Sequence, residues 1–330
     1  MSSNLKYAIE FIKALCKAKM FRRRTPFFVS WALTYRCNNR CPYCDMPSRA
    51  AKELDFIQIS RIIEVLAKRG ARFLSLTGGE PLLREDIGRI VDFARSRNLC
   101  VKLNTNGSLF AQKANELKNL SALMLSFDGP KHVHDSLRGA GSYKQVMEAV
   151  DAARKQSQPV SFYTVLSEAN LDFIRDILST AASLRIKVLF QPATENRYGG
   201  TRPNPVSATV EKYKAALDFL YKEKKKGNPS ILNSLGGLKL LARWPSPVEI
   251  SCVNGLLGCR IEPDGEARLC SLTDRVQAEP GNFGNDFEKS FDSLLLGMKC
   301  HDCWCAAQVE LNRMAAFKWD AITNALNSLR

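Results

Sequence analysis

Six short β-rich runs recur through the first two thirds of the chain, with helical patterns between them. The runs are Phe28–Tyr35, Arg72–Thr77, Val101–Thr105, Leu123–Phe127, Val160–Leu166 and Lys187–Gln191. The intervening segments Ile57–Arg69 and Asp86–Arg97 repeat apolar residues at three- and four-residue steps, the period of a helix with one buried face. Strand and helix in alternation predict a parallel sheet with helices outside. Six such units are too few for a closed eight-stranded barrel. The expected fold is therefore α/β, a partial (β/α)6 TIM-type barrel whose opening admits a sizeable substrate. In such sheets chemistry gathers at the carboxyl ends of the strands. Here those ends read Thr77-Gly-Gly-Glu80, Asn104-Thr-Asn-Gly107 and Ser126-Phe-Asp-Gly129.

The first run leads into Tyr35-Arg-Cys-Asn-Asn-Arg-Cys-Pro-Tyr-Cys-Asp45, which spaces Cys37, Cys41 and Cys44 as C-x3-C-x2-C. Three thiolates on one loop can hold three irons of a [4Fe–4S] cube. No fourth cysteine lies nearby, so the fourth iron stays open to bind another molecule. Zinc sites draw on paired C-x2-C units with four ligands, and this spacing fits them poorly.

Cys37-x3-Cys41-x-Tyr43-Cys44, followed by Thr77-Gly78-Gly79-Glu80-Pro81, resembles the radical S-adenosylmethionine (SAM) superfamily over roughly residues 28–195. The resemblance implies that the open iron chelates the amino and carboxylate groups of SAM. One electron then cleaves SAM reductively, and the resulting 5′-deoxyadenosyl radical abstracts hydrogen from an organic substrate. It assigns the catalytic cluster to Cys37, Cys41 and Cys44. Gly78, Gly79, Glu80 and Pro81 fall to the SAM pocket, where missing side chains let backbone approach a ligand closely and Glu80 or nearby carbonyls accept from the SAM ammonium. Tyr43 stands near the adenine. Ser126 and Arg138, in Ser126-Phe-Asp-Gly-Pro130 and His134-Asp135-x-x-Arg138, hydrogen-bond SAM and pair with its carboxylate. Asn106 lines the same pocket, with Asn104, Thr105 and Gly107 beside it. Asp128 is an acid–base candidate, and Tyr163, Gln191, Glu195, Arg197 and Tyr198 are candidates for the substrate side. His132, His134 and His301 have no metal-ligand spacing.

A second group, Cys252, Cys259, Cys270, Cys300, Cys303 and Cys305, marks the C-terminal third. It resembles the SPASM or shorter twitch extension, which carries auxiliary [4Fe–4S] clusters. Two cubes need more ligands than six, so one auxiliary cluster is expected. Cys252, Cys270, Cys300 and Cys303 match the sparser pattern, with Cys259 and Cys305 as competitors. Pro263-Asp-Gly-Glu266 reads as a hairpin turn that sets Cys259 opposite Cys270. Cys16 and Cys100 read as isolated buried thiols.

The expected domains are a basic amphipathic N-terminal helix over 1–27, the barrel over 28–240 and the auxiliary-cluster domain over 241–330. No signal peptide is visible, and no stretch reaches the roughly 18 apolar residues of a membrane span. Eleven cysteines without a secretory signal fit a reducing, cytoplasmic setting. Net charge is +15. Residues 1–24 carry Lys6, Lys13, Lys17, Lys19, Arg22, Arg23 and Arg24 against Glu10. On a helix, Leu5, Ala8, Ile9, Ile12, Leu15 and Cys16 share one face, which either packs on the barrel or lies on an anionic membrane. The expected partners are an organic substrate (a peptide or protein, a cofactor or sugar precursor, or a lipid) and a reductant such as flavodoxin or ferredoxin. No separate leader-peptide-binding domain is seen ahead of residue 28, which weighs against a peptide. The rival reading is a non-catalytic zinc-binding, basic nucleic-acid-binding module, and nucleic acid ranks below the other partners.

Overall fold

The computed structural model describes residues 3–21, 24–246, 248, 250–270, 286–294, 299–300 and 303–328. His301, Arg22 and Arg23 lie outside the described residues. All six expected strands form: β1 Phe28–Ala32, β2 Phe73–Thr77, β3 Cys100–Thr105, β4 Ala122–Ser126, β5 Val160–Leu166 and β6 Lys187–Pro192. The C-terminal third adds β7 Ile250–Ser251, β8 Gly258–Ile261, β9 Ala267–Arg268 and β10 Lys299–Cys300. Strands β1 to β6 pair in sequence order and parallel, as helix crossovers require. β8 then joins the outer edge of β1, also parallel, and β9 follows it antiparallel, giving an eight-stranded sheet. β7 and β10 form a separate antiparallel pair.

The period-2 pattern of β3 shows how the sheet divides its two faces. Val101, Leu103 and Thr105 are buried, whereas Cys100, Lys102 and Asn104 keep some exposure. The buried set joins apolar residues of the outer helices in one core. The helix Phe56–Lys68 contributes Ile59, Ile62, Ile63 and Leu66 to it. Each such side chain stabilises the fold by about 1.5–3 kcal/mol relative to exposure. A capping box fixes where that helix starts: Asp55 accepts from the Gln58 backbone, and Gln58 returns the bond to the Asp55 backbone.

The hairpin turn forms as expected, with Gly265 at φ +89° and its N–H donated to the Glu262 carbonyl at 2.9 Å. Its register differs from the expectation. Arg260 faces Arg268 and Ile261 faces Ala267, which sets Cys259 opposite Leu269 rather than Cys270. A one-residue offset sends side chains to opposite faces, so the two cysteines are not cross-strand partners.

The N-terminal helix runs Ser3–Phe21. Ala14, Leu15 and Ala18 pack with Phe11 against Phe27, Leu257 and Ala315. Of the predicted apolar face, Ile12 and Cys16 are exposed. The buried stripe is rotated toward the alanines, because small side chains let the helix approach the sheet closely. Cys16 is thus not a buried thiol, and Cys100 is half-buried.

Candidate functional site

The cysteine loop sits over the carboxyl end of β1 and is tied to the turn after β2. Gly79 N–H donates to the Thr34 carbonyl at 2.8 Å, and Glu80 N–H donates to the Arg36 carbonyl at 2.8 Å. A Cβ on Gly78 would stand 2.2 Å from the Thr34 carbonyl oxygen, and one on Gly79 would stand 2.2 Å from that of Arg36. The glycine pair therefore makes room for the backbone of the cysteine loop itself. Gly78 also has φ +142°, which disfavours other residues.

Glu80 is fully buried. Its carboxylate accepts from Leu82 N–H at 3.0 Å, the Thr105 hydroxyl at 2.7 Å and Asn106 N–H at 2.8 Å. Burial raises its pKa, and these donors oppose the rise. Glu80 ties the ends of β2 and β3 together, and Pro81 starts the short 3-10 turn that it caps. Asn106 reaches onward: its amide donates to Asn38 Oδ1 at 2.8 Å, inside the cysteine loop.

Asp128 is a buried hub. Its carboxylate accepts from the Tyr43 hydroxyl at 2.7 Å, Arg138 Nε at 2.7 Å and Val165 N–H at 3.3 Å. An acid so engaged anchors Tyr43, Arg138 and the end of β5. Arg138 points Nη1 toward Cys41 Sγ at 3.8 Å, and its guanidinium carbon lies 5.7 Å from the Tyr43 ring centre. Burial works against the Arg138 charge, but Asp128, Tyr43 and Cys41 more than offset it. Nη2 has no partner among the described residues, leaving one edge of the fork for a carboxylate. Ser126 ends β4 half-buried, opposite Tyr163 in the register.

Cys37, Cys41 and Cys44 are all partly exposed at this mouth. They lie close enough for their charges to act on one another. Burial raises the thiol of Cys37 and pushes that of Cys44 up to about 12. Iron binding must therefore displace protons. The Asn39 backbone N–H, 3.4 Å from Cys37 Sγ, and Arg138 suit the negative charge of bound thiolates. Among the described residues no three Cys, His, Asp or Glu converge as ligands of a single ion do. A cube, held at separate corners, asks for wider spacing. The donor set fits a three-thiolate cluster.

A strap missed in the sequence closes the other side of the loop. Tyr198 N–H donates to the Tyr43 carbonyl at 2.8 Å, and Asp45 N–H donates to the Tyr198 carbonyl at 2.9 Å. Arg202 grips Asp45 through Nε at 3.0 Å and Nη2 at 2.6 Å. Arg197 stands 3.6 Å from the same carboxylate, while Glu195 is exposed. Below, Arg260 donates Nη1 to the Tyr198 hydroxyl at 3.2 Å and Nε to Glu262 at 2.7 Å. Glu262 also accepts from the Tyr35 hydroxyl at 2.6 Å. Tyr163 hydrogen-bonds Gln191. His134 is buried, accepts from Asp128 N–H and stacks on Phe127, while His132 meets the edge of Phe173.

The second cysteine group divides. Asn254 donates to the Leu269 carbonyl at 2.5 Å, and Asn312 takes Val253 N–H at 3.1 Å while donating to Cys303 Sγ at 3.8 Å. The flanks of Cys252 and Cys270 thereby meet Cys303, and Cys300 lies opposite Ile250 beside them. Cys259 instead sits in the hydrophobic core, opposite Val29. Cys305 starts the helix Ala306–Ala315 and acts electrostatically on Tyr163.

Comparison with known proteins agrees with this geometry. The sequence model of the Radical SAM superfamily matches residues 31–181. The mycofactocin maturase MftC of Mycolicibacterium smegmatis is 26% identical over 275 residues, covering 79% of this chain and 68% of that protein. The AdoMet-dependent heme synthase of Methanosarcina barkeri is 31% identical over 167 residues, 48% of each chain. The chain thus spans about half the length of that heme synthase. Among solved structures, Streptococcus suis SuiB bound to the precursor peptide SuiA has TM-score 0.67 at 14% identity, over 85% of this chain and 68% of that one. Native anSMEcpe with bound AdoMet has TM-score 0.60 at 19% identity, over 92% of this chain and 100% of that one. The structural likenesses establish the partial-barrel fold. The sequence matches and the three-thiol loop support a radical SAM enzyme, whose chemistry uses a [4Fe–4S] cluster and S-adenosylmethionine.

Proposed function

We propose that Cys37, Cys41 and Cys44 hold the SAM-binding cluster and that the chain modifies an organic substrate entering the open barrel. The observation that carries this is the placement of three thiols beside Arg138, whose Nη1 lies 3.8 Å from Cys41 Sγ. The bound cluster and SAM supply the one-electron chemistry, reductive cleavage followed by hydrogen abstraction. The chain's residues supply placement. Arg138 orients the SAM carboxylate by its open edge, and Tyr43, fixed by Asp128, walls the adenine side. Gly78, Gly79 and Glu80 hold the loop, with turn carbonyls left for the SAM ammonium, and Ser126 adds a hydroxyl. SuiB, named with a precursor peptide, and the heme synthase illustrate the breadth of organic substrates. A flavodoxin or ferredoxin is the proposed reductant. Replacing Cys41 with Ala should abolish 5′-deoxyadenosine formation under anaerobic, reducing conditions; undiminished formation would refute the assignment.

The auxiliary cluster falls to Cys252, Cys270, Cys300 and Cys303, in a C-terminal domain over 241–330 that follows the barrel over 28–240. Cys270→Ala or Cys303→Ala should then remove about four irons per chain, whereas Cys259→Ala and Cys305→Ser should keep them. Equal iron in all four variants would overturn the set.

A second reading concerns the N-terminal helix. No helix among the described residues is long and apolar enough to cross a membrane. Met20 and Phe21 are each 72% exposed and Trp319 is 75% exposed. Lys19 stands over the Phe317 ring at 4.9 Å, joining these residues into one surface. Lys13, Lys17 and Lys318 are exposed around them. An apolar patch with a cationic rim suits an anionic lipid surface. Flotation with phosphatidylserine vesicles should depend on residues 1–24, and identical flotation without them would remove this reading.

A further inference from the structure

One register row crosses the barrel from its C-terminal edge inward. Arg260 of β8 lies opposite Ser30 of β1, Ser30 opposite Ser75 of β2, Ser75 opposite Lys102 of β3 and Lys102 opposite Ala122 of β4. Residues paired across a parallel sheet project to the same face. Asn104 Nδ2 donates to Ser75 Oγ at 2.6 Å, which puts Lys102, two residues earlier, on that face as well. It is the face opposite Val101 and Leu103, which pack in the helix-covered core. Two long cations thus stand in one row, separated by two hydroxymethyl groups, with a methyl beyond. Ser30, Ser75, Lys102 and Ala122 all keep some exposure on this face.

Among the described residues nothing neutralises Lys102. Its ammonium has no hydrogen bond or ion pair among the described residues. The polar or apolar neighbours on its face, Ser30, Ser75, Asn104, Met124 and Ser161, include no acid. Only the Cys100 thiol raises its proton affinity, and burial pushes the amine down to about 8. At the other end of the row Arg260 is only 4% exposed. Glu262 and Tyr198 take its Nε and Nη1, yet Nη2 is buried without a partner among the described residues. A buried donor left unpaired costs about 1–3 kcal/mol, and a half-buried ammonium without a counter-charge also favours an anionic partner. The Glu262 carboxylate is already shared between Arg260 and Tyr35, so it does not serve Lys102.

We propose that Lys102 anchors a carboxylate of the substrate inside the barrel, over Ser30 and Ser75, with Arg260 as the second cationic wall. The proposal rests on the radical SAM reading only for the direction of the reacting end, toward the cluster mouth. A single ammonium flanked by hydroxyls suits one negative charge, hence a carboxylate rather than a phosphate.

The test uses the cluster-loaded chain under anaerobic conditions. A pulse of acetic anhydride at pH 8 labels amines, and peptide mass spectrometry reads Lys102 against the exposed Lys226. Benzoate should slow acetylation of Lys102 several-fold while leaving Lys226 unchanged, and benzamide should not protect. Equal rates in benzoate and benzamide would overturn the anchor, and stronger protection by phenyl phosphate would overturn the carboxylate class. The enzymatic reading fails separately, through absence of SAM cleavage, and that result would leave the labelling pattern untouched.

Discussion

Glu80 accepts the backbone N–H of Asn106 at 2.8 Å, and the Asn106 side chain in turn holds Asn38 at 2.8 Å. Two strand ends and the cysteine loop are thereby linked through one buried carboxylate. Glu80→Gln would present an amide donor to a set of donors. We expect a loss of about 1–3 kcal/mol in stability and weaker iron retention. Urea unfolding and iron analysis after gel filtration check both, and unchanged values would show that the link is dispensable.

Gly79 has no room for a methyl group. Its Cβ would lie 2.2 Å from the Arg36 carbonyl and 2.5 Å from that of Tyr35, both rigid backbone. Gly79→Ala should push the cysteine loop off β2 and lower the iron of the SAM-binding cluster, while the auxiliary cluster persists. Mössbauer or EPR spectra distinguish the two populations. Wild-type spectra in the variant would contradict the contact.

The Asp128–Arg138 pair, at 2.7 Å with both groups buried, should be strongly coupled. Removing one partner of a buried pair costs about 3–5 kcal/mol, because the other charge is stranded. Asp128→Asn should therefore destabilise strongly, and adding Arg138→Gln should recover part of the loss. A double-mutant cycle by denaturant unfolding measures the coupling. Additive losses would show that the two side chains act independently.

His134 should make stability depend on pH. Burial first, and Arg138 next, push its imidazole down to about 4 from an ordinary value of 6.5. Below 6.5 the unfolded chain takes up a proton that the folded chain refuses until about pH 4. Stability is thus full above that window and falls as pH drops through it. Between pH 7.5 and 5.5 the loss from this residue should be about 1 kcal/mol. His134→Asn, which keeps an acceptor for Asp128 N–H, should flatten that slope. The same slope in the variant would assign it elsewhere.

The strands and their order were legible because parallel β/α units write a repeating pattern. The cysteine loop and the Gly-Gly-Glu turn were legible as motifs, but their mutual contact was not. It depends on the register of β1 against β2, which no local spacing encodes. Asp128 stood in the sequence only as an acid–base candidate, because its partners Tyr43 and Arg138 arrive from distant segments. The hairpin turn was readable from Pro263-Asp-Gly, yet its register was off by one, which moved Cys259 into the core. Lys102 was hidden in plain alternation: Val-Lys-Leu-Asn reads as a strand, and only the neighbouring strands show that its inner face lacks an acid.

The parallel seam of β8 on β1 has a consequence for how the protein is made. The first strand emerges from the ribosome early, but its outer edge stays unpaired until more than two hundred further residues have been synthesised. Tyr35, Tyr198 and Arg260 likewise meet only then. Until then the first loop lacks its support from Arg260, and chains released early present a bare hydrogen-bonding edge that invites aggregation.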